Sequence, residues 1–341
     1  MGEHLLVVGC GSIGQRHLAN LKSLGAGPLL ACDVEPGRRE RIARALDVET
    51  VATLDEGLRA RPRAVLICTP PATHVDLARA AAEAGCHLFI EKPLADRREG
   101  VEALARIVGA RGLVALVACN MRFHPGVRQL KRWLDDGVAG RVLAVHAEFG
   151  HWLPGWRPGV DYRQVYSAHR SAGGGILLDA IHEIDYLGWF LGPLVEVACL
   201  DAKVSDLEID AEDTVGLLLR AASGAVVSVH LDYTQRVKRR RCRVVGSEGT
   251  LIWESRGKSP ETCVTECYTA AAARWERQET QVDFDAPFRE EMNHFLRCLS
   301  GEERPLQDLA AAARTLAVVE TAREAARRKA TLPVAGAREE S

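Results

Sequence analysis

The feature that most limits how this chain folds is Gly9-Cys10-Gly11-Ser12-Ile13-Gly14, set between an apolar run at 4–8 and a stretch of helical period opening near Ser12. Such a turn needs glycines because it is tight, because its backbone must approach a pyrophosphate, and because the helix must pack on the strand. The helix N-terminus then attracts the phosphate charge. Asp33 ends the next apolar run, nineteen residues after Gly14. That offset suits a carboxylate accepting hydrogen bonds from an adenosine ribose diol. The same charge repels a 2′-phosphate, so the sequence predicts NAD rather than NADP, held by Gly9, Gly11, Ser12, Ile13, Gly14 and Asp33. Arg38 and Arg39 lie just beyond, where they either soften that preference or form a solvated helix face.

Over the first 120 residues, strand-like runs at 4–8, 29–32, 64–68, 87–90 and 114–118 alternate with amphipathic stretches such as 75–84. This is the pattern of βαβ units and a parallel sheet. Beyond residue 122 the pattern changes. A helix at 126–134 leads to strands at 142–149, 195–204, 214–219, 225–231, 243–245 and 250–253, with helices at 288–299 and 309–327 closing the chain. Consecutive strands joined by short turns such as Ala222-Ser223-Gly224 predict an antiparallel arrangement. The expected fold is an α/β Rossmann domain (1–121) followed by an α+β domain with an open, mostly antiparallel sheet (122–335).

A length of 341 residues suits two domains, and 44 basic against 46 acidic residues leave a formal net charge of -2. That balance lacks the electrostatic footprint of a nucleic-acid binder, so a small molecule is the expected partner. Ten scattered cysteines read as reduced core thiols. Cys263 and Cys267 read as strand side chains, with no metal expected. No signal-peptide pattern opens the chain and no apolar stretch reaches the ~18 residues of a membrane span, which predicts a cytoplasmic protein. There is no internal repeat; low complexity is confined to an alanine-rich stretch at 310–313, and a short charged tail ends in Arg338-Glu339-Glu340-Ser341.

Two further motifs follow strands: Cys68-Thr69-Pro70-Pro71-Ala72-Thr73-His74 and Glu91-Lys92-Pro93. Carboxyl ends of strands are where such sheets bind ligands. Taken singly, Thr73 reads as a helix cap and Lys92 as a surface charge. These residues, with the glycine loop, Asn120-Met121-Arg122-Phe123, Gly173-Gly174-Gly175, Asp179 and His182, resemble the glucose-fructose oxidoreductase, inositol dehydrogenase and rhizopine-catabolism (Gfo/Idh/MocA) family over nearly the whole chain. The resemblance implies that Lys92 sits by the nicotinamide and the reacting hydroxyl, that Asp179 and His182 complete the catalytic site, that Thr69, Pro70, His74, Glu91 and Asn120 serve the cofactor, and that Arg122 serves the substrate. Many members separate the aspartate and histidine by four residues where this chain has three, a spacing that resembles a branch found with nonulosonate and other carbohydrate pathways and leaves the role of Asp179 open.

From residue chemistry, 176–191 reads as one helix with Ile181, Ile184, Leu187 and Leu191 on its buried face, so that Asp179 and His182 project together with Asp185 nearby. A core histidine held by a carboxylate is the alternative. An imidazole, with an ordinary pKa of about 6.5, suits proton acceptance at neutral pH, and Lys92 suits stabilisation of a developing alkoxide. The stretch from His151 through Trp152, Arg163 and Tyr166 offers flat apolar faces and polar groups suited to a sugar, or forms a surface loop. Tyr233 follows a strand and is a further candidate. The basic run 236–243 is either a diphosphate anchor or a solvated strand face. The expected activity is NAD-dependent hydride transfer at a hydroxyl or ketone of a sugar, aminosugar or cyclitol. Alternatives are a redox-neutral reaction with tightly bound NAD and a non-catalytic dinucleotide sensor. An open sheet with apolar alternation on both faces predicts a homodimer or homotetramer.

Overall fold

Leu5-Leu6-Val7-Val8 forms β1 (Leu5–Val8), an unbroken apolar tetrapeptide buried along its whole length, as a central parallel strand must be. The computed structural model describes residues 3–257 and 260–336; the charged tail expected at 338–341 lies outside the described residues. After β1 come α1 (Ser12–Ser23), β2 (Leu29–Cys32), α2 (Pro36–Leu46), β3 (Glu49–Val51), α3 (Leu54–Arg59), β4 (Ala64–Ile67), α4 (His74–Glu83), β5 (His87–Glu91), α5 (Val101–Ala110) and β6 (Ala115–Ala118). The six strands lie in the order β3-β2-β1-β4-β5-β6, all parallel. Strand β3 was not expected: three residues paired only with β2 are too short to show a period.

The chain continues through α6 (Pro125–Asp135), β7 (Val142–Gly150), α7 (Ile176–Asp179), α8 (Ile181–Leu191), β8 (Leu194–Ala202), β9 (Thr214–Ala221), β10 (Val226–Asp232), β11 (Arg239–Gly246), β12 (Gly249–Arg256), β13 (Glu261–Thr269), β14 (Arg274–Val282), α9 (Ala286–Ser300), α10 (Leu309–Arg328) and β15 (Leu332–Pro333). Nine strands form one sheet in the order β14-β13-β12-β11-β7-β10-β9-β8-β15. Only β10 and β7 run parallel, so the sheet is mixed and mostly antiparallel. Strand β14 gives no alternation in the sequence, because it is an edge strand whose residues are all exposed except Val282. Cys263 and Cys267 lie on β13, and all ten cysteines are buried and free.

The compact units are not continuous in sequence. The first joins Met1–Asn120 to Phe288–Ala313, and the second joins Met121–Pro287 to the residues from Arg314 onward. This corrects the expectation of a single second stretch over 122–335. Met292, Phe295 and Leu299 of α9 belong to the core that contains Leu5, Val7, Leu66 and Phe89. Their apolar face was visible in the sequence, but not which sheet would cover it.

The expected helix over 176–191 is also corrected, since Ala180 (φ −95°, ψ 27°) breaks it into α7 and α8. Before the break the glycines permit close passage. A Cβ on Gly174 would stand 2.3 Å from the Tyr166 carbonyl oxygen, and one on Gly175 (φ +109°) 2.3 Å from Glu212 Oε1.

Candidate functional site

In the first unit the glycine loop is shaped by exclusion. Gly9 has φ +92°, and a Cβ there would lie 2.8 Å from the Cys68 carbonyl oxygen; a Cβ on Gly14 would lie 1.9 Å from the Gly9 oxygen. A Cβ on Gly11 would meet nothing within 4 Å, so the loop is closed toward β4 and open at the N-terminus of α1. Gly11 offers that helix no side-chain cap, which leaves the amides of Ser12 and Ile13 at its first positions for an anion. Asp33 Oδ2 accepts the Cys10 amide at 2.7 Å and Oδ1 the Glu35 amide at 2.9 Å. Each oxygen keeps capacity for a second donor, so the residues fit a dinucleotide with its ribose diol on Asp33. Arg38 pairs with Glu35 at 2.7 Å and stands 3.7 Å from Asp33 Oδ2, while Arg39 donates to the Asp33 carbonyl at 2.7 Å. Burial, then the Asp33 charge, pushes the Cys10 thiol up to about 12, so it remains protonated.

At the next strand end, the Thr73 hydroxyl donates to the Pro70 carbonyl at 2.8 Å and meets the Thr69 hydroxyl at 2.7 Å; it does not cap α4. Thr69 and Pro70 retain exposed surface, as does Lys92. Two residues expected at the cofactor are turned inward instead. His74 is buried, with Nε2 2.7 Å from the Thr69 oxygen and Nδ1 2.9 Å from the Pro93 oxygen, so it ties two strand-end loops together. Burial pushes its pKa down. Glu91 is also buried; its Oε1 lies 2.6 Å from His17 Nε2, and its Oε2 accepts the Lys92 amide at 3.1 Å. Asn120 is half-buried and opens a short 3-10 turn ending at Phe123.

In the second unit Asp179 is the meeting point. The Tyr166 hydroxyl donates to its Oδ1 at 2.5 Å and the Tyr233 hydroxyl to its Oδ2 at 2.6 Å. Tyr233 is fully buried, and burial together with the Asp179 charge pushes its phenol well above the usual range. Tyr166 is half-buried. The Trp156 indole, which the sequence reading did not single out, lies edge-on to Tyr233 at 5.2 Å and stacks on His151 at 5.8 Å. Within the run from His151 to Tyr166 it was one aromatic among several, so its sequence neighbours carried no signal of this role.

His182 lies on the first turn of α8, which two ion pairs to its buried carboxylates hold in place. Arg122 Nε and Nη2 donate to Asp185 at 2.9 and 2.8 Å, and its guanidinium lies over Trp189. Arg240 Nε stands 2.7 Å from Glu183 Oε1, with its guanidinium over Phe149. Arg122, expected at the substrate, is buried and committed to Asp185. Sequence gives no sign of that pairing, because the partner lies 63 residues away. Arg163 is exposed and paired with Asp161 and Glu208, and Trp152 carries the Arg236 guanidinium 3.7 Å above its ring. Three cations of the basic run are already matched: Lys238 with Glu261, Arg239 with Glu148 and Glu254, and Arg240 with Glu183. A diphosphate anchor using these three would have to displace their carboxylates.

Among the described residues no group of three or more His, Cys, Asp or Glu side chains is placed to hold a metal, and no described helix is long and apolar enough to cross a membrane. Residues 4–119 match the model of an oxidoreductase family with an NAD-binding Rossmann fold, and residues 127–252 match the GFO/IDH/MocA C-terminal domain. The inositol 2-dehydrogenase of Rhizobium meliloti is 34% identical over 277 residues, which cover 77% of this chain and 79% of that protein. The 2,7-anhydro-N-acetylneuraminate hydratase of Mediterraneibacter gnavus is 29% identical over 191 residues, covering 56% of this chain and half (50%) of that protein. A dehydrogenase from Bordetella pertussis, solved with NADH and UDP-GlcNAcA, shares the fold with a TM-score of 0.82 at 22% identity, over 98% of this chain and 99% of that one. With the glycine loop and Asp33 shaped for a dinucleotide and both halves of the chain matched, this protein belongs to the Gfo/Idh/MocA family and is an NAD-binding oxidoreductase.

Proposed function

We propose that the protein oxidises a secondary alcohol of a sugar, aminosugar or cyclitol, or reduces the matching ketone. The nicotinamide supplies the electronic part, accepting or returning the electron pair with hydrogen at the reacting carbon. His182 removes the hydroxyl proton on oxidation and returns it on reduction. The Lys92 ammonium stabilises the negative charge that develops on the oxygen. Asp179, gripped by Tyr166 and Tyr233, holds the polar environment of His182, and Tyr166, with Trp152 on the same loop, meets the substrate, while Arg163 stays with its carboxylate partners. Thr69, Pro70 and Asn120 line the nicotinamide end of the dinucleotide. The observation that carries this reading is the buried carboxylate bound by two phenols just ahead of a histidine on a pinned helix.

The test is a panel of sugars, aminosugars and cyclitols with purified protein and NAD, followed by NADH absorbance. Turnover within one of these classes is expected. Failure on all three, with NAD bound, rejects the substrate class. A second reading is favoured by the similarity to a hydratase: a redox-neutral reaction in which tightly held NAD is reduced and reoxidised in one turnover. Protein that purifies with nucleotide and consumes substrate without releasing NADH would establish it.

The same reading includes self-association. Register places Val226, Leu218, Leu200 and Trp275 on one face of the nine-stranded sheet, and all four are exposed. A second copy would cover them, giving a homodimer or homotetramer. Light scattering that shows only monomer at micromolar concentration rejects this.

A further inference from the structure

The chain on either side of Lys92 is held by two buried histidines that the proposed chemistry does not use. On the preceding side, Glu91 spans two contacts: Oε1 with His17 Nε2 at 2.6 Å and Oε2 with the Lys92 amide at 3.1 Å. On the following side, the Pro93 carbonyl meets His74 Nδ1 at 2.9 Å. His17 belongs to α1, the helix that opens at the glycine loop, and its fully buried ring lies edge-on to Phe89 at 4.9 Å and Phe288 at 6.4 Å. Among the described residues its Nδ1 has no hydrogen-bond partner. A donor there would be left unmade, so the hydrogen bond to Glu91 is the one donated by Nε2–H.

A polar pair of this kind, walled by phenyl rings, is an inefficient way to stabilise a core; apolar residues of similar volume would serve as well or better. What apolar residues cannot do is accept the Lys92 amide while reaching back to α1. The glycine loop and the lysine anchor are therefore joined by one carboxylate. Lysine carries a flexible four-carbon stem, so its ammonium is placed well only if its backbone is.

We propose that His17 and Glu91 are positioning residues for Lys92: their hydrogen bond fastens the lysine's main chain to the dinucleotide-binding helix, so that the two move as one body. This rests on the reading of Lys92 as a catalytic group. It is tested on the full chain with His17→Phe, His17→Gln and Glu91→Gln, each made alone and in a Lys92→Ala background. The assay polyol is the one the panel identifies, and NAD affinity is measured separately.

His17→Phe should lower kcat about tenfold or more while changing the NAD Kd less than about threefold, and His17→Gln, whose amide can donate from the same place, should recover most of the loss. In the Lys92→Ala background the His17 and Glu91 substitutions should change kcat less than about twofold, since there is no lysine left to misplace. Independently of turnover, the rate at which acetic anhydride labels Lys92, read by mass spectrometry, should change in His17→Phe while labelling of the other lysines does not. Normal turnover and labelling in His17→Phe overturns the proposal. So does an equal loss in both backgrounds, which marks a general structural role. If His17→Phe fails to fold, His17→Gln and Glu91→Gln carry the same comparison. Should Lys92→Ala itself turn over normally, the catalytic reading of Lys92 falls first and the positioning role with it.

Discussion

The dinucleotide side of this protein and the side proposed to transfer the proton are built from different materials. In the first unit the candidate dinucleotide surface is mostly main chain, a glycine loop closed against Cys68 and helix amides, with one side chain, the Asp33 carboxylate, itself anchored by the Cys10 amide. In the second unit the candidate site is side chains holding side chains, with Tyr166 and Tyr233 on Asp179, and Arg122 on Asp185 and Arg240 on Glu183 holding the helix that carries His182. A main-chain site is specified by a few contiguous residues whose φ and ψ matter. A side-chain site depends on distant residues arriving together, and it fails by stranding a buried polar group.

The largest expected effect falls on chemistry. Lys92→Ala and His182→Ala should each lower kcat by about two to four orders of magnitude and leave NAD affinity nearly intact; the double variant should lose far less than the product. If His182→Ala turns over near the normal rate, the histidine is a core residue and the side-chain half of the comparison breaks.

The next effect is on stability. Burial alone would raise the Glu261 pKa, but hydrogen bonds from His124 at 2.7 Å and Lys238 at 2.8 Å outweigh it and hold the carboxyl well below the usual range. A depressed folded pKa contributes stability above the ordinary value of 4.5, which is lost as the pH falls through the folded value. Glu261→Gln should therefore cost about 3 kcal/mol at neutral pH. In denaturant titrations the gap from the unmodified protein should close as the solution is acidified; a pH-independent gap would remove the charge from the explanation.

On the main-chain side, Asp33→Ser should weaken NAD by about 2 kcal/mol and narrow or reverse the preference over NADP, because it removes both a charged acceptor and a repulsion. Equal or tighter NADP binding by the unmodified protein would count against the role of Asp33. Tyr233→Phe removes one donor from Asp179 and should lower kcat by about tenfold, or about 1.4 kcal/mol, with NAD affinity unchanged. A change in NAD affinity instead would show that the two halves are not separable. Arg163→Ala, which breaks only exposed ion pairs with Asp161 and Glu208, should alter kcat/KM less than about twofold. A loss of tenfold would return Arg163 to the substrate.

Sequence alone determined the local parts: the strand-turn-helix carrying Gly9 to Gly14, Asp33 at the next strand end, the parallel alternation, and the change to a mostly antiparallel sheet after residue 122. Each is written in contiguous residues by period, turn chemistry or offset. Tertiary structure decided which polar groups are spent inside. His74, Glu91 and Arg122 stand in motifs and read as ligands, yet they are buried against Thr69 and Pro93, His17, and Asp185. Only the fold decided that α9 packs on the first unit and that Asp179 lies between phenols 13 residues before it and 54 after. The reason is physical: a buried polar group must be paired, but any donor that the fold brings within reach satisfies it, and chain separation leaves no periodic trace of which one will.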